Sequence, residues 1–155
     1  MTKRNLLLCG IAALLLGCGD SAPLRALSGQ SQIDSKTGLV KRNFDQTQIK
    51  RGEMVYAANC VGCHGPNGEA TPDWRKPGPD GKYPPPPLDS TAHAWHHSTE
   101  VLKKTILKGT PPDIGSMPAW EGKLTEQQVD DVIVWIKSLW SDEIYDIWYK
   151  NFEGK

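Results

Sequence analysis

The sequence predicts an all-α domain of three to five helices joined by long proline-rich loops. Two segments carry helical periodicity: Ile49, Gly52, Glu53 and Tyr56 in the first half, and Val129, Val132, Ile133, Ile136, Leu139 and Trp140 in the second. Between them the prolines are too dense for a helix or a central strand. They include Pro72, Pro77, Pro79 and the run Pro84 to Pro87.

The chain has 155 residues, enough for one domain with appendages. Its start reads as an export signal. Met1-Thr2-Lys3-Arg4 is a charged leader, and Leu6 to Leu16 is an uncharged apolar run, shorter than the ~20 residues of a spanning helix. Leu15-Leu16-Gly17-Cys18 resembles the bacterial lipobox, which makes Cys18 the expected lipid-bearing first residue of the mature chain. Ordinary signal cleavage nearby is the alternative. The expected organisation is residues 1–17 as lipoprotein signal, 18–44 as a flexible tether, 45–140 as the folded domain and 141–155 as a C-terminal extension packed on it. The tether is rich in Ser, Gly and charged residues and would span roughly 25–30 Å as a coil; packing of part of it on the domain, at Leu39-Val40, is the alternative. Basic and acidic residues each number 18. Loss of Lys3 and Arg4 with the signal tips this balance slightly acidic, so nothing points to nucleic acid.

The first helix is expected to start at a cap, Asp45 or Thr47. Its mid-helix Gly52 costs about 1 kcal/mol relative to alanine, which a close crossing by a second helix would explain. The helix runs into Cys60-Val61-Gly62-Cys63-His64. Two thiols three residues apart with an imidazole next to them form the C-x-x-C-H pattern of covalent haem c attachment. The thiols add across the haem vinyl groups, and the histidine then lies under the iron. A thioredoxin-like C-x-x-C would follow a strand rather than a helix, and a zinc site would need further ligands, for which His93, His96 and His97 are available. With Cys9 lost with the signal, Cys18 lipidated and Cys60 and Cys63 on haem, no cysteine remains for a disulfide.

The turn Gly65-Pro66-Asn67-Gly68 opens the long loop to Asp89. Proline runs favour extended polyproline II, suited to wrapping a haem edge. An iron-bound histidine usually donates its other ring N–H to a carbonyl. Pro86, two residues before Leu88, is the candidate acceptor, and both residues are candidate cofactor contacts. In His93-Ala94-Trp95-His96-His97 the histidines could cap a helix, bind propionates, ligate a metal or face water. The Trp95 indole N–H is a candidate propionate donor.

Ser98 caps a helix through Lys108, with Val101, Leu102, Thr105 and Ile106 expected inward and Gly109 as the stop. Met117 is the only methionine after the haem motif, in a loop stiffened by Pro111, Pro112 and Pro118. It is the candidate second iron ligand, offering a soft thioether. Thr125 and Gln128 form a capping box, with Leu124 and Val129 as its staple, before the last long helix. Ile144, Tyr145, Ile147 and Trp148 suggest a further amphipathic turn or two in the tail.

Residues 46 to 140 resemble a class I cytochrome c domain. The resemblance rests on the Cys60 to His64 motif, Gly52 and Tyr56, Met117-Pro118, and Val132 with Trp135. It implies a helical shell around one covalent haem, His64 proximal and Met117 distal, with the first and last helices crossing. It also implies a carrier of single electrons between redox proteins. Together with the export signal and the lipobox-like Cys18, the expectation is a carrier between periplasmic or membrane redox proteins, tethered by its lipid, that is not an enzyme and has no small-molecule substrate. The proline-rich insertion, the histidine cluster and the C-terminal extension depart from the pattern. They leave room for a dedicated haem subunit of an oxidase or dehydrogenase complex, or for a sensor in which Met117 yields to a small ligand.

Overall fold

The computed structural model describes residues 33–153, so Cys18, the signal segment and most of the expected tether lie outside the described residues. Among the described residues five α-helices make up the regular structure: α1 (Gln46–Asn59), α2 (Val61–His64), α3 (Thr99–Lys108), α4 (Glu126–Ser138) and α5 (Asp142–Trp148). A three-residue 3₁₀ turn spans Ala94–His96, and a π turn follows α5 over Tyr149–Glu153.

The frame is the crossing of α1 and α4. Asp45 caps α1 by accepting from the Thr47 N–H at 2.7 Å, satisfying one of the donors a helix start leaves open. The helix buries Gly52, Val55 and Tyr56. Glu53, expected on the inner face, is exposed, and Val55 takes that place because the contact surface is centred on Gly52. The capping box of α4 is complete, with Gln128 N–H donating to Thr125 Oγ1 and Thr125 N–H to Gln128 Oε1. Val129, Val132, Ile133, Trp135 and Ile136 are all buried on this helix. Tyr56 and Trp135 pack across the crossing with ring centroids 4.0 Å apart. Arg51 donates to both oxygens of the buried Asp131 carboxylate at 2.7 and 3.0 Å; this bond holds the Asp131 carboxyl below its ordinary range.

Ser98 caps α3, whose Leu102 and Ile106 pack on the core. Val101, expected inward, is 42% exposed; one residue before Leu102 on a ten-residue helix, it falls outside the narrow contact stripe.

The C-terminal segment completes the core. Trp140 and Trp148 are almost fully buried, each worth about 4–6 kcal/mol of apolar burial as an upper figure. Their indole N–H groups reach distant carbonyls, Trp140 to Leu88 O and Trp148 to His97 O, both at 2.8 Å. Residues 33–44, expected as the end of the tether, also pack here. Val40 is buried and donates its N–H to Asp146 at 2.8 Å, and Arg42 binds Trp140 O and Asp142. The Val40 amide and the Arg42 side chain thus meet partners roughly a hundred residues away in the chain.

Lys137 is buried on α4, donating to Thr99 Oγ1, which in turn donates to Glu153. Its ammonium lies 4.1 Å from the Trp148 ring centroid. Burial pushes its pKa from 10.5 down to about 8, opposed by the charges of Glu153 and Asp130. Between those values the unfolded chain binds the extra proton, so stability rises with pH, by up to about 3 kcal/mol. Against Lys137→Met, whose side chain does not titrate, wild-type protein is expected to gain thermal midpoint from pH 8 to 10.5. Parallel pH profiles for the two proteins would overturn this.

Candidate haem site

The site begins where α1 ends. Cys60 is the C-cap of α1, its N–H bonded to Tyr56 O at 2.8 Å, and the next four residues form the single turn α2. This turn carries Cys63 and His64, whose N–H groups both return to Cys60 O. The thiols of Cys60 and Cys63 are free. Tyr56 OH donates to Gly65 O at 2.5 Å, fixing the far end of the motif to the helix before it.

The His64 ring is buried, and its Nδ1 lies 3.0 Å from Pro86 O. A carbonyl only accepts, so Nδ1 carries the proton and Nε2 keeps the lone pair a metal needs. Burial holds the imidazole below the ordinary histidine pKa, partly offset by the Pro86 bond. The ring is therefore neutral at pH 7, which is its ligating form. The chain is held two residues after Pro86, where Leu88 donates its N–H to Gly68 O at 2.6 Å and its carbonyl accepts from Trp140 Nε1.

Met117 sits on a separate, well-fixed loop. Its N–H donates to Thr110 Oγ1 and its carbonyl accepts from Thr110 N–H, both at 3.1 Å. Gly109 turns the chain at φ 72°, and a Cβ there would come within 2.5 Å of Met117 O, so only glycine fits. Tyr83 N–H donates to Ile114 O at 3.0 Å, joining the proline-rich loop to the Met117 loop. Met54 is 65% exposed on α1.

Trp95 Nε1 is buried with no hydrogen-bond partner. An orphaned buried donor costs about 1–3 kcal/mol. Among the described residues it is the one such side-chain atom, and it sits between the two loops in sequence. Free thiols at C-x-x-C-H spacing, a neutral buried imidazole with a free Nε2, and an unmet buried donor all fit a haem with its vinyls, iron and propionates. Burial pushes the Cys60 thiol up to about 11, with Cys63 adding to the shift. That is the opposite of the low-pKa thiolate of a thioredoxin-like motif.

The Tyr56 and Trp140 hydrogen bonds were not read from the sequence. The signal available was chemical: a buried phenol or indole needs a partner, but sequence does not say which carbonyl meets it.

The helical fold and this motif define a c-type cytochrome domain. A family model described as cytochrome C oxidase, cbb3-type, subunit III matches residues 47–136, more than half of the chain. The chain belongs to this family, whose cofactor is covalent haem c. Among curated relatives, the cbb3-type cytochrome c oxidase subunit FixP of Bradyrhizobium sp. (strain ORS 278) is 27% identical over 78% of this chain and 37% of its own length. FixP of Bradyrhizobium diazoefficiens is 30% identical over 69% of this chain and 32% of its own. Cytochrome c1 of Rhodobacter capsulatus is 39% identical over 40% of this chain and 21% of its own. The chain thus spans about a third of the length of the oxidase subunits it matches. A solved structure, cytochrome CL from Methylophaga aminisulfidivorans, aligns with TM-score 0.50 at 24% identity, covering 73% of this chain and 70% of that one. It supports the fold.

Proposed function

We propose that this chain carries single electrons between redox proteins, with His64 and Met117 as the two axial ligands of one haem c. The observation that carries the reading is the His64 ring, buried, neutral and oriented by Pro86 O. Haem supplies one-electron exchange at iron. The chain's residues attach it through Cys60 and Cys63, orient the imidazole, and fix the Met117 loop against α3. The Pro86 carbonyl raises the basicity of the ring, while a thioether ligand favours the ferrous state. Trp95 Nε1 is assigned to a propionate, and Leu88 to the haem edge through its anchored backbone. Both axial positions are filled in this reading, which leaves no open coordination site for substrate chemistry.

The division into a domain from 45 to 140 and a C-terminal extension packed on it, with Val40 and Arg42 ahead of 45 docked on that extension, and the Cys18 lipid belong to the same proposal, which places the protein in the bacterial periplasm on a membrane. No helix among the described residues is long and apolar enough to cross a membrane; the proposed anchor is the lipobox-like segment, which lies outside them.

A second reading makes the chain a haem subunit of an oxidase complex. It is favoured by the relatives' names, FixP and CcoP subunits of cbb3-type oxidases. The two readings part on co-purification from solubilised membranes: a free carrier comes away as a single chain that reduces and reoxidises reversibly.

The test is a redox titration of purified protein with carbon monoxide added to the reduced form. A one-electron couple and a spectrum unmoved by carbon monoxide are expected. Ready binding at neutral pH overturns the closed carrier and favours a sensor. In the same preparation, Cys18→Ser should shift the protein from membrane to soluble fractions; unchanged partitioning removes the lipid anchor.

A further inference from the structure

His93 and His97 face one another outside the haem site. Their Nε2 atoms are 3.5 Å apart and their ring planes cross at 84°. That separation is long for an N–H donor, which prefers about 2.7–3.2 Å. Two nitrogens on one tetrahedral zinc at the usual ~2.0–2.1 Å stand about 3.4 Å apart. Adjacent square-planar or octahedral positions at that bond length would need about 2.9 Å. The observed spacing therefore suits a tetrahedral ion better than a direct bond between the rings.

The backbone at one end of this pair is strained. His93 adopts φ 32°, one of two non-glycine residues with positive φ among those described, a conformation costing about 1–3 kcal/mol. His97 is held at the other end, since its carbonyl accepts from the buried Trp148 indole at 2.8 Å. A strained residue and an anchored one bracket the 3₁₀ turn Ala94–His96. His93 is exposed and His97 half-buried, so an ion can reach both.

We propose that His93 and His97 form a second metal site, taking zinc or a similar divalent transition ion in tetrahedral geometry with two solvent ligands. Among the described residues no third His, Cys, Asp or Glu converges with them, which is why solvent completes the shell. Arg75, stacked 4.2 Å over Trp74 beside His93, works against a cation. It is exposed, however, and its charge is screened by solvent. His96 interacts with Trp95 and lies further off, its ring 6.1 Å from that of His93; it is not assigned to the site.

The test uses haem-loaded protein, stripped with chelator and titrated with zinc chloride. One zinc per chain is expected. Binding should be at least tenfold weaker in His93→Gln and in His97→Gln, and within twofold of wild type in His96→Gln. The haem spectrum of each variant reports whether it has folded. X-ray absorption at the zinc edge of the wild type gives a readout that needs no variant, and two imidazole shells are expected. Absence of a saturable site, binding unchanged in both variants, or a zinc shell of oxygens alone overturns the proposal.

Discussion

Met117→Ala is expected to lose the sulfur-to-iron charge-transfer band and to lower the reduction potential by a few tenths of a volt, within the ~0.8 V that axial ligands command. The effect should be confined to the iron because the loop does not depend on the Met117 side chain. Its backbone is pinned by the Thr110 pair at 3.1 Å, by Trp120 N–H to Ile106 O at 3.2 Å, by Glu121 N–H to Leu107 O at 3.0 Å, and by Tyr83 N–H to Ile114 O. Alanine keeps every one of these bonds. The variant should therefore fold, retain covalent haem and bind carbon monoxide when reduced, since one coordination position opens. Met54→Ala is the control: that side chain is 65% exposed, and its loss should leave band and potential unchanged. A charge-transfer band that survives in Met117→Ala would move the distal ligand to another residue.

The parts of this fold that were legible in sequence are those decided by neighbours in the chain. Asp45, Ser98 and Thr125 cap their helices through donors two or three residues on, and Gly109 ends α3 by its own conformational freedom. The C-x-x-C-H spacing is likewise local, so the attachment chemistry could be read directly. What escaped is set by pairings across long stretches of chain. Residues 33–44 look like linker by composition, with packing at Leu39-Val40 as the alternative, but neither reading names the partner that Val40 meets, the Asp146 carboxylate 106 residues away. Glu53 and Val101 fit a helical stripe by spacing but face solvent, because the width of a stripe depends on what packs against it. Lys137 stands near the end of α4, and only the return of Trp148 and Glu153 encloses it. The indoles of Trp140 and Trp148 illustrate the same limit: their need for an acceptor is evident, while the acceptors at Leu88 and His97 depend on the finished fold.

The largest stability effect is expected at Gly52, where α1 meets α4 with no room for a side chain. A Cβ at this position would overlap the Asp131 carbonyl oxygen and approach Trp135 Cβ to 2.8 Å. Neither neighbour is the loose end of a flexible chain: one is helix backbone, and the other is the root of a side chain stacked on Tyr56. Relief would require the helices to part, but α1 is tied to α4 by Arg51 to Asp131, while the Tyr56 bond to Gly65 O ties it to the end of the haem motif. Moving α1 also moves Cys60 and His64 away from the Pro86 carbonyl. Alanine gains about 1 kcal/mol in helix propensity over glycine, and the overlap must outweigh this. Overpacking costs typically 1–3 kcal/mol and more where backbone must shift, so Gly52→Ala is expected to lower the thermal midpoint by roughly 5–15 °C. Gly52→Val, with two more carbons and a stiff χ1, should fail to accumulate as haem-loaded protein. Thermal melts followed at the haem absorbance decide the matter: a Gly52→Ala midpoint at or above wild type would show that the helices can separate at no cost. The crossing would then not be what holds the motif in register.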